Sequence, residues 1–213
     1  MKKILFPVVC AMCISPALAV NVKPFIGANL GITGVAYDED VYDDNSDVGI
    51  DMPEAFFGTG IEAGIIFQTP KIYNAGITVA YDYVFDTEAD LDYYAEDYID
   101  YWKQGFSAVS ATFDNYLRVS GGAKHRQDIV LGIGLGRANS RFHMRPTPYG
   151  RTLGLEDMKD DDDNDTIVVF KIGYNYRVSS HFDWYLNGRW FMPSDDDFIK
   201  ALFNASAGVR FVF

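Results

Sequence analysis

After residue 19 the sequence contains no cysteine; its two, Cys10 and Cys13, lie near the start. A chain cleaved between them and the rest has no disulfide framework, no thiolate metal site and no cysteine nucleophile. It also lacks any later run of eighteen apolar residues, which excludes a transmembrane helix. A closed barrel is not excluded, because its backbone is satisfied between strands. Positive charge is scarce as well. The whole chain carries 18 Lys and Arg against 30 Asp and Glu. So acidic a protein is a poor nucleic-acid binder, since phosphate contacts need clustered bases.

The opening MKKILFPVVCAMCISPALA has two lysines, a short apolar stretch and the small-x-small ending Ala17-Leu18-Ala19. That is the layout of a cleaved secretory signal, residues 1–19, with the mature domain at 20–213. Val20 stands where a lipoprotein would need cysteine. Without Lys2 and Lys3, 16 bases face 30 acids, a net charge of −14.

The acids are not spread evenly. Residues 38–54, 86–103, 156–165 and 195–197 hold 25 of the 30. Between these stretches the chain alternates, apolar then polar or small, which is the period of a half-buried strand. The clearest case is KALFNASAGVRFVF, Lys200–Phe213, with Phe203, Ala205, Ala207, Val209, Phe211 and Phe213 on one face. Asn204, Ser206, Gly208 and Arg210 share the other. Seven further segments read alike: Lys23–Tyr37, Ala55–Gln68, Asn74–Asp86, Phe106–Val119, Asp128–Arg137, Thr166–Val178 and Phe182–Met192. Phe106–Val119 is the weakest, because Asn115 interrupts its apolar face. Long acidic connections alternate with short ones. The expected fold is therefore all-β: an eight-stranded antiparallel up-and-down transmembrane barrel with long acidic extracellular loops and short periplasmic turns. Part of the second or third loop could add a hairpin and make ten strands.

The parity of the strands decides which face meets lipid. One face is bulky and aromatic; the other holds glycine, serine, threonine and charges. Turning the charged face outward would set Glu62, Asp82, Lys171, Arg189 and Arg210 against lipid, at about 2–4 kcal/mol for each Arg or Lys near the midplane. We therefore expect those five in the lumen, with Asp114, Asp183, Arg177 and Arg118, neutralising one another as a buried ion-pair network. An eight-stranded barrel is only wide enough for its own side chains. A secreted lipocalin-like barrel would invert this pattern, apolar inside and polar outside, and a small pore would need a clear lumen.

Several tracts resemble the small outer-membrane β-barrel proteins of Gram-negative bacteria, of the OmpA-like transmembrane-domain, OmpX and opacity-protein kind. They are KPFIGANLG, DIVLGIGLG, the hairpin IGYNYRVSSHFDWYLNGRW and the C-terminal pattern of Ser206, Gly208, Phe211 and Phe213. The resemblance implies a place in the outer membrane and a C-terminal signal read by the barrel-assembly machinery. It implies contact with outer-membrane lipid and lipopolysaccharide, and a role in structure or surface adhesion.

The residues themselves offer little catalytic chemistry. His125 and His181 fall in short turns. His143, with Ser140 and Glu156, invites comparison with a lipid A deacylase, the alternative reading as a lipid-modifying hydrolase. Three residues apart on a strand, however, Ser140 and His143 would point to opposite faces. The run Asp160–Asp163 lacks the spaced ligands and turn glycine of a calcium loop. We expect no enzyme activity, no cofactor, no resident metal and a monomer. Its tyrosine-rich loops would be free to meet a ligand on a host or environmental surface.

Overall fold

The structure, a computed structural model, describes residues 21–38, 49–68, 73–121, 125–194 and 199–213. Residues 1–20, where the signal segment is expected, residues 39–48, 69–72, 122–124 and 195–198, and the side chains of 160–164 lie outside the described set.

Among the described residues, ten strands and two short helices follow one another along the chain. They are β1 (Asn21–Tyr37), β2 (Ile50–Asp51), β3 (Ala55–Gln68), β4 (Tyr73–Glu88), β5 (Asp90–Leu91), α1 (Tyr93–Glu96), β6 (Ile99–Ser120), β7 (Gln127–Pro146), α2 (Pro148–Thr152), β8 (Met158–Arg177), β9 (Phe182–Pro193) and β10 (Ile199–Val212). Eight form one closed barrel in the order β1-β10-β9-β8-β7-β6-β4-β3, every neighbour antiparallel. The closing strand pairs with the first, from Phe25 opposite Val212 to Tyr37 opposite Ile199. Closure leaves no open edge, so a strand at the end of the chain is paired on both sides. The two-residue strands β2 and β5 pair only with each other.

Outside, the barrel is apolar around its circumference: Ile26, Leu30, Ile61, Val79, Ile133, Ile172, Leu186 and Val209 are all exposed. Aromatic residues such as Tyr81, Phe85 and Trp190 sit toward one rim, and Tyr73, Trp184 and Phe211 toward the other. An exposed surface this apolar is what lipid, not water, would cover. No described helix is long enough to cross a membrane; the strands do it.

Three strands outrun their sequence signal. β6 begins at Ile99, seven residues before the expected start, and β7 and β8 pair on through much of what reads as the third loop. Past the lipid belt the outer face of a strand meets water, so the lipid-facing apolar row ends while backbone pairing continues; on the inner side Gln104 stays buried and Ile99 and Trp102 pack against the apolar core. The extension adds length to existing strands and no new staves, so the barrel stays at eight. Asn115, which blurred β6, points outward; its amide donates to the Leu131 carbonyl at 3.2 Å and it accepts from the Tyr73 hydroxyl.

The lumen differs from the expected all-polar interior. Its extracellular part is a hydrocarbon core of Phe56, Val84, Phe106, Ile167, Val169, Phe191 and Leu202. Ile50, Met52, Ala89 and Ala95 of the first and second loops close over it. Phe56 and Phe106 meet edge to face at 5.1 Å. Gly49, with φ +82°, turns the first loop so that its carbonyl accepts from Asp92 N–H at 2.9 Å; a side chain there would strike the Asp92 carboxylate. A second apolar cluster, Phe25, Ile66, Tyr116, Val130 and Val212, fills the periplasmic end. Glu62, Asp82, Asp114, Lys171, Arg189 and Arg210 lie between these two apolar layers.

Candidate functional site

Four of the expected lumen residues form one chain of ion pairs. Glu62, 2% exposed, is its centre. Glu62 Oε1 accepts from Arg210 Nη2 at 2.5 Å and Nε at 3.1 Å, and Oε2 accepts from Arg189 Nη2 at 3.3 Å. Arg189 Nη1 donates onward to Asp82. Lys171 is not on that chain; its Nζ donates to Asp114 Oδ2 at 2.8 Å. Asp114 accepts in addition from Thr78 at 2.7 Å and Thr112 at 2.9 Å. The guanidinium of Arg210 lies 4.0 Å from the centroid of Phe25 and 5.0 Å from that of Tyr185.

Small residues make room for this layer. A side chain at Gly60 would sit 2.6 Å from the Asp82 carboxylate and 2.9 Å from Asn29 Nδ2. The inward glycines read from the sequence as a polar face are spaces for the long charged chains across from them. Below the layer, at the periplasmic mouth, Arg177 pairs with Asp183 at 3.1 Å and Arg126 with Asp128 at 2.6 Å. Arg118, opposite Asp128 in the ladder, faces the same mouth, and its Nε has no hydrogen bond.

At the other end, the extended strands β6, β7 and β8 carry α1 and α2 away from the membrane. Thr147 joins the two helical tips. Its Oγ1 donates to the Asp97 carbonyl at 2.7 Å and caps α2 by accepting from Gly150 N–H at 3.0 Å, while its own N–H donates to the Tyr98 carbonyl at 2.9 Å. Asp92 caps α1 through Tyr94 and Ala95 N–H, both at 2.9 Å. Tyr98 and Tyr149 lie with centroids 5.6 Å apart, and Tyr93 and Tyr94 5.9 Å apart. Tyr93, Tyr94, Tyr149 and Leu153 are all more than half exposed. The hydrogen bond that Lys103 gives Glu88, across 2.7 Å, holds the ammonium proton above the usual lysine range.

Neither a family model nor a curated protein matches the sequence. Solved structures do match. The N-terminal β-barrel domain of OprF from Pseudomonas aeruginosa superposes over 91% of this chain and 99% of its own, at 13% identity and a TM-score of 0.50. This chain has the outer-membrane β-barrel fold. Ail, the attachment invasion locus protein of Yersinia pestis, covers 89% of this barrel and 98% of its own chain at 13% identity and 0.49. The outer membrane protease OmpT of Escherichia coli covers 93% and 99% at 10% and 0.40. At such identities the likeness is one of fold alone.

In the closing strand of the barrel, Phe211 and Phe213 face outward and meet edge to face at 5.0 Å. Phe211 also stacks on His181 at 5.9 Å, and Phe213 N–H donates to the Pro24 carbonyl at 2.9 Å. Ser206 and Gly208 turn inward; a side chain at Gly208 would strike the Tyr185 ring. The hydrolase-like trio is spread out. Ser140 pairs with Phe106 while His143 pairs with Lys103, three steps along a regular ladder and so on opposite faces. Glu156 lies in the exposed segment after α2. Among the described residues, no cluster of His, Cys, Asp and Glu could hold a metal ion. Sequence reasoning missed Tyr116, whose hydroxyl accepts from Arg210 at 3.4 Å, and Tyr185, whose ring faces Arg210, because aromatic residues on an inward strand face carry no signal of their partner.

Proposed function

We propose that the barrel is an anchor and that the tip formed by α1 and α2 is its working surface, as in a non-enzymatic adhesin or opacity-type protein. The observation that carries this reading is the Thr147 clamp, which holds two loops and four exposed tyrosines as one preorganised unit. Tyrosine supplies large, amphipathic contact area at little entropic cost. The filled lumen supports an anchoring role over a conducting one. Charge narrows the partner. Of the bases near the tip, Lys103 pairs with Glu88, Arg145 with Asp100 and Arg151 with Asp157. Asp90, Glu96, Asp97 and Glu156 add negative charge, so a neutral or cationic surface suits the tip and a polyanion does not. The barrel works as a monomer, and Ser206, Gly208, Phe211 and Phe213 serve the barrel-assembly machinery.

The test compares cells carrying the wild type, the triple variant Tyr93→Ser, Tyr94→Ser, Tyr149→Ser, and no copy. Adhesion to host-cell or abiotic surfaces should fall to the no-copy level in the triple variant. The lipid A mass spectrum should be the same in all three strains. A lipid A species that appears only with the wild type would move the protein to the hydrolase class.

A further inference from the structure

The outward row of β7 reads Ile129, Leu131, Ile133, Leu135 and then Arg137, all exposed. An arginine in a lipid-facing row needs an explanation, and its height supplies half of one. With a rise of about 3.4 Å per residue and a tilt of about 40°, eight residues climb roughly 21 Å along the membrane normal. The apolar band is about 25 Å tall, so Arg137 stands just inside its extracellular edge. From there a guanidinium reaches the headgroup layer while its stem stays in lipid.

Its lack of a counter-ion supplies the other half. Arg141, Arg145 and Arg151, higher on the same side, are matched to Asp86, Asp100 and Asp157. Among the described side chains no carboxylate pairs with Arg137, in a chain where acids far outnumber bases. Arg137 also borders a groove of about 480 Å³ on the outer wall, within the usual ~300–1,000 Å³ of a small-ligand cleft. Tyr81, Val109 and Leu135 line its apolar floor, and Ser107 and Asn139 join Arg137 on the polar side. The row is set by the ladder: Arg137 is paired with Val109 on β6 and Thr166 on β8, and Val109 with Tyr81 on β4.

We propose that this groove binds a phosphorylated glycolipid of the outer leaflet, lipid A. Arg137 takes a phosphate, with Ser107 and Asn139 beside it, and an acyl chain lies on Tyr81, Val109 and Leu135. A guanidinium matches phosphate oxygens in charge and in its forked geometry. The apolar floor beneath it selects a lipid over a free anion. The site sits on the barrel wall and does not depend on what the tip binds.

The test is native mass spectrometry of the refolded barrel with bisphosphorylated lipid A, the same lipid dephosphorylated, and inorganic phosphate. The wild type should retain the phosphorylated lipid about tenfold better than the dephosphorylated one. Arg137→Ala should abolish that preference, Arg137→Lys keep part of it, and Arg145→Ala leave it unchanged. Arg137 projects outward, so truncating it opens no hole in the lumen; a gel shift between boiled and unboiled samples equal to that of the wild type verifies folding, and Arg137→Gln repeats the test should the alanine variant fail. A preference that survives both the Ala and Gln changes, or equal retention of the two lipids by wild type, overturns the site. Displacement of the lipid by millimolar inorganic phosphate assigns the groove to a free anion and overturns the lipid.

Discussion

Replacing Glu62 by alanine tests the lumen most directly. The carboxylate accepts three N–H bonds from two guanidiniums that are themselves almost fully buried. Arg189 would keep Asp82, but Arg210 would be left with the Tyr116 hydroxyl at 3.4 Å and the faces of Phe25 and Tyr185. A buried ion that loses its partner costs about 3–5 kcal/mol. Unfolding in urea with a slope of about 2 kcal/mol per molar turns that into a midpoint lowered by about 2 M. Tryptophan fluorescence in lipid vesicles reads the midpoint, and the gel shift between boiled and unboiled samples reads the folded fraction. A companion variant isolates the cause. Glu62→Leu combined with Arg210→Met removes both charges and should recover most of the loss, because a buried pair is often no better than apolar residues of like volume. A shift below about 0.5 M for Glu62→Ala, or a double variant as weak as the single, would refute the reasoning.

Two further outcomes follow from the same interior and the same closing strand. In planar bilayers the purified protein should show no large steady conductance, since two apolar layers and the ion pairs between them occupy the lumen; an open channel at neutral pH would contradict the filled interior. Deleting Phe213 removes one backbone hydrogen bond to Pro24 and one ring contact with Phe211. Pulse-labelled cells should therefore assemble the truncated barrel much more slowly, while protein refolded in vitro keeps its urea midpoint to within about 0.5 M; equal assembly rates would remove Phe213 from the assembly signal.

The eight staves were legible because lipid on one side and packed polar chains on the other impose a period of two on every segment between them. Lys200–Phe213 is the clearest instance, with outward Phe203 and inward Arg210 seven residues apart and of opposite parity. Where that contrast ends, so does the signal. The upper halves of β6, β7 and β8, with water in place of lipid on the outer face, read as loop although they are paired strand. The upper lumen was illegible for the opposite reason. Phe56, Ile167 and Phe191 are apolar residues on the inward parity, which strand reading alone takes for breaks in the pattern.

The sequence by itself determined the architecture, the side of each strand that meets lipid, and which charges must be inside. Those follow from local alternation and from the cost of placing Arg or Lys in hydrocarbon. Only the tertiary structure decided which charges meet. Glu62 takes Arg210 and Arg189 while Lys171 takes Asp114, because strand register and barrel stagger, not separation along the chain, set the side chains that share a level. The same register puts Arg137 beside a groove that β4, β6 and β7 make together, and places Thr147 across from the Asp97 and Tyr98 carbonyls. Such meetings of distant strands leave no mark on any one of them.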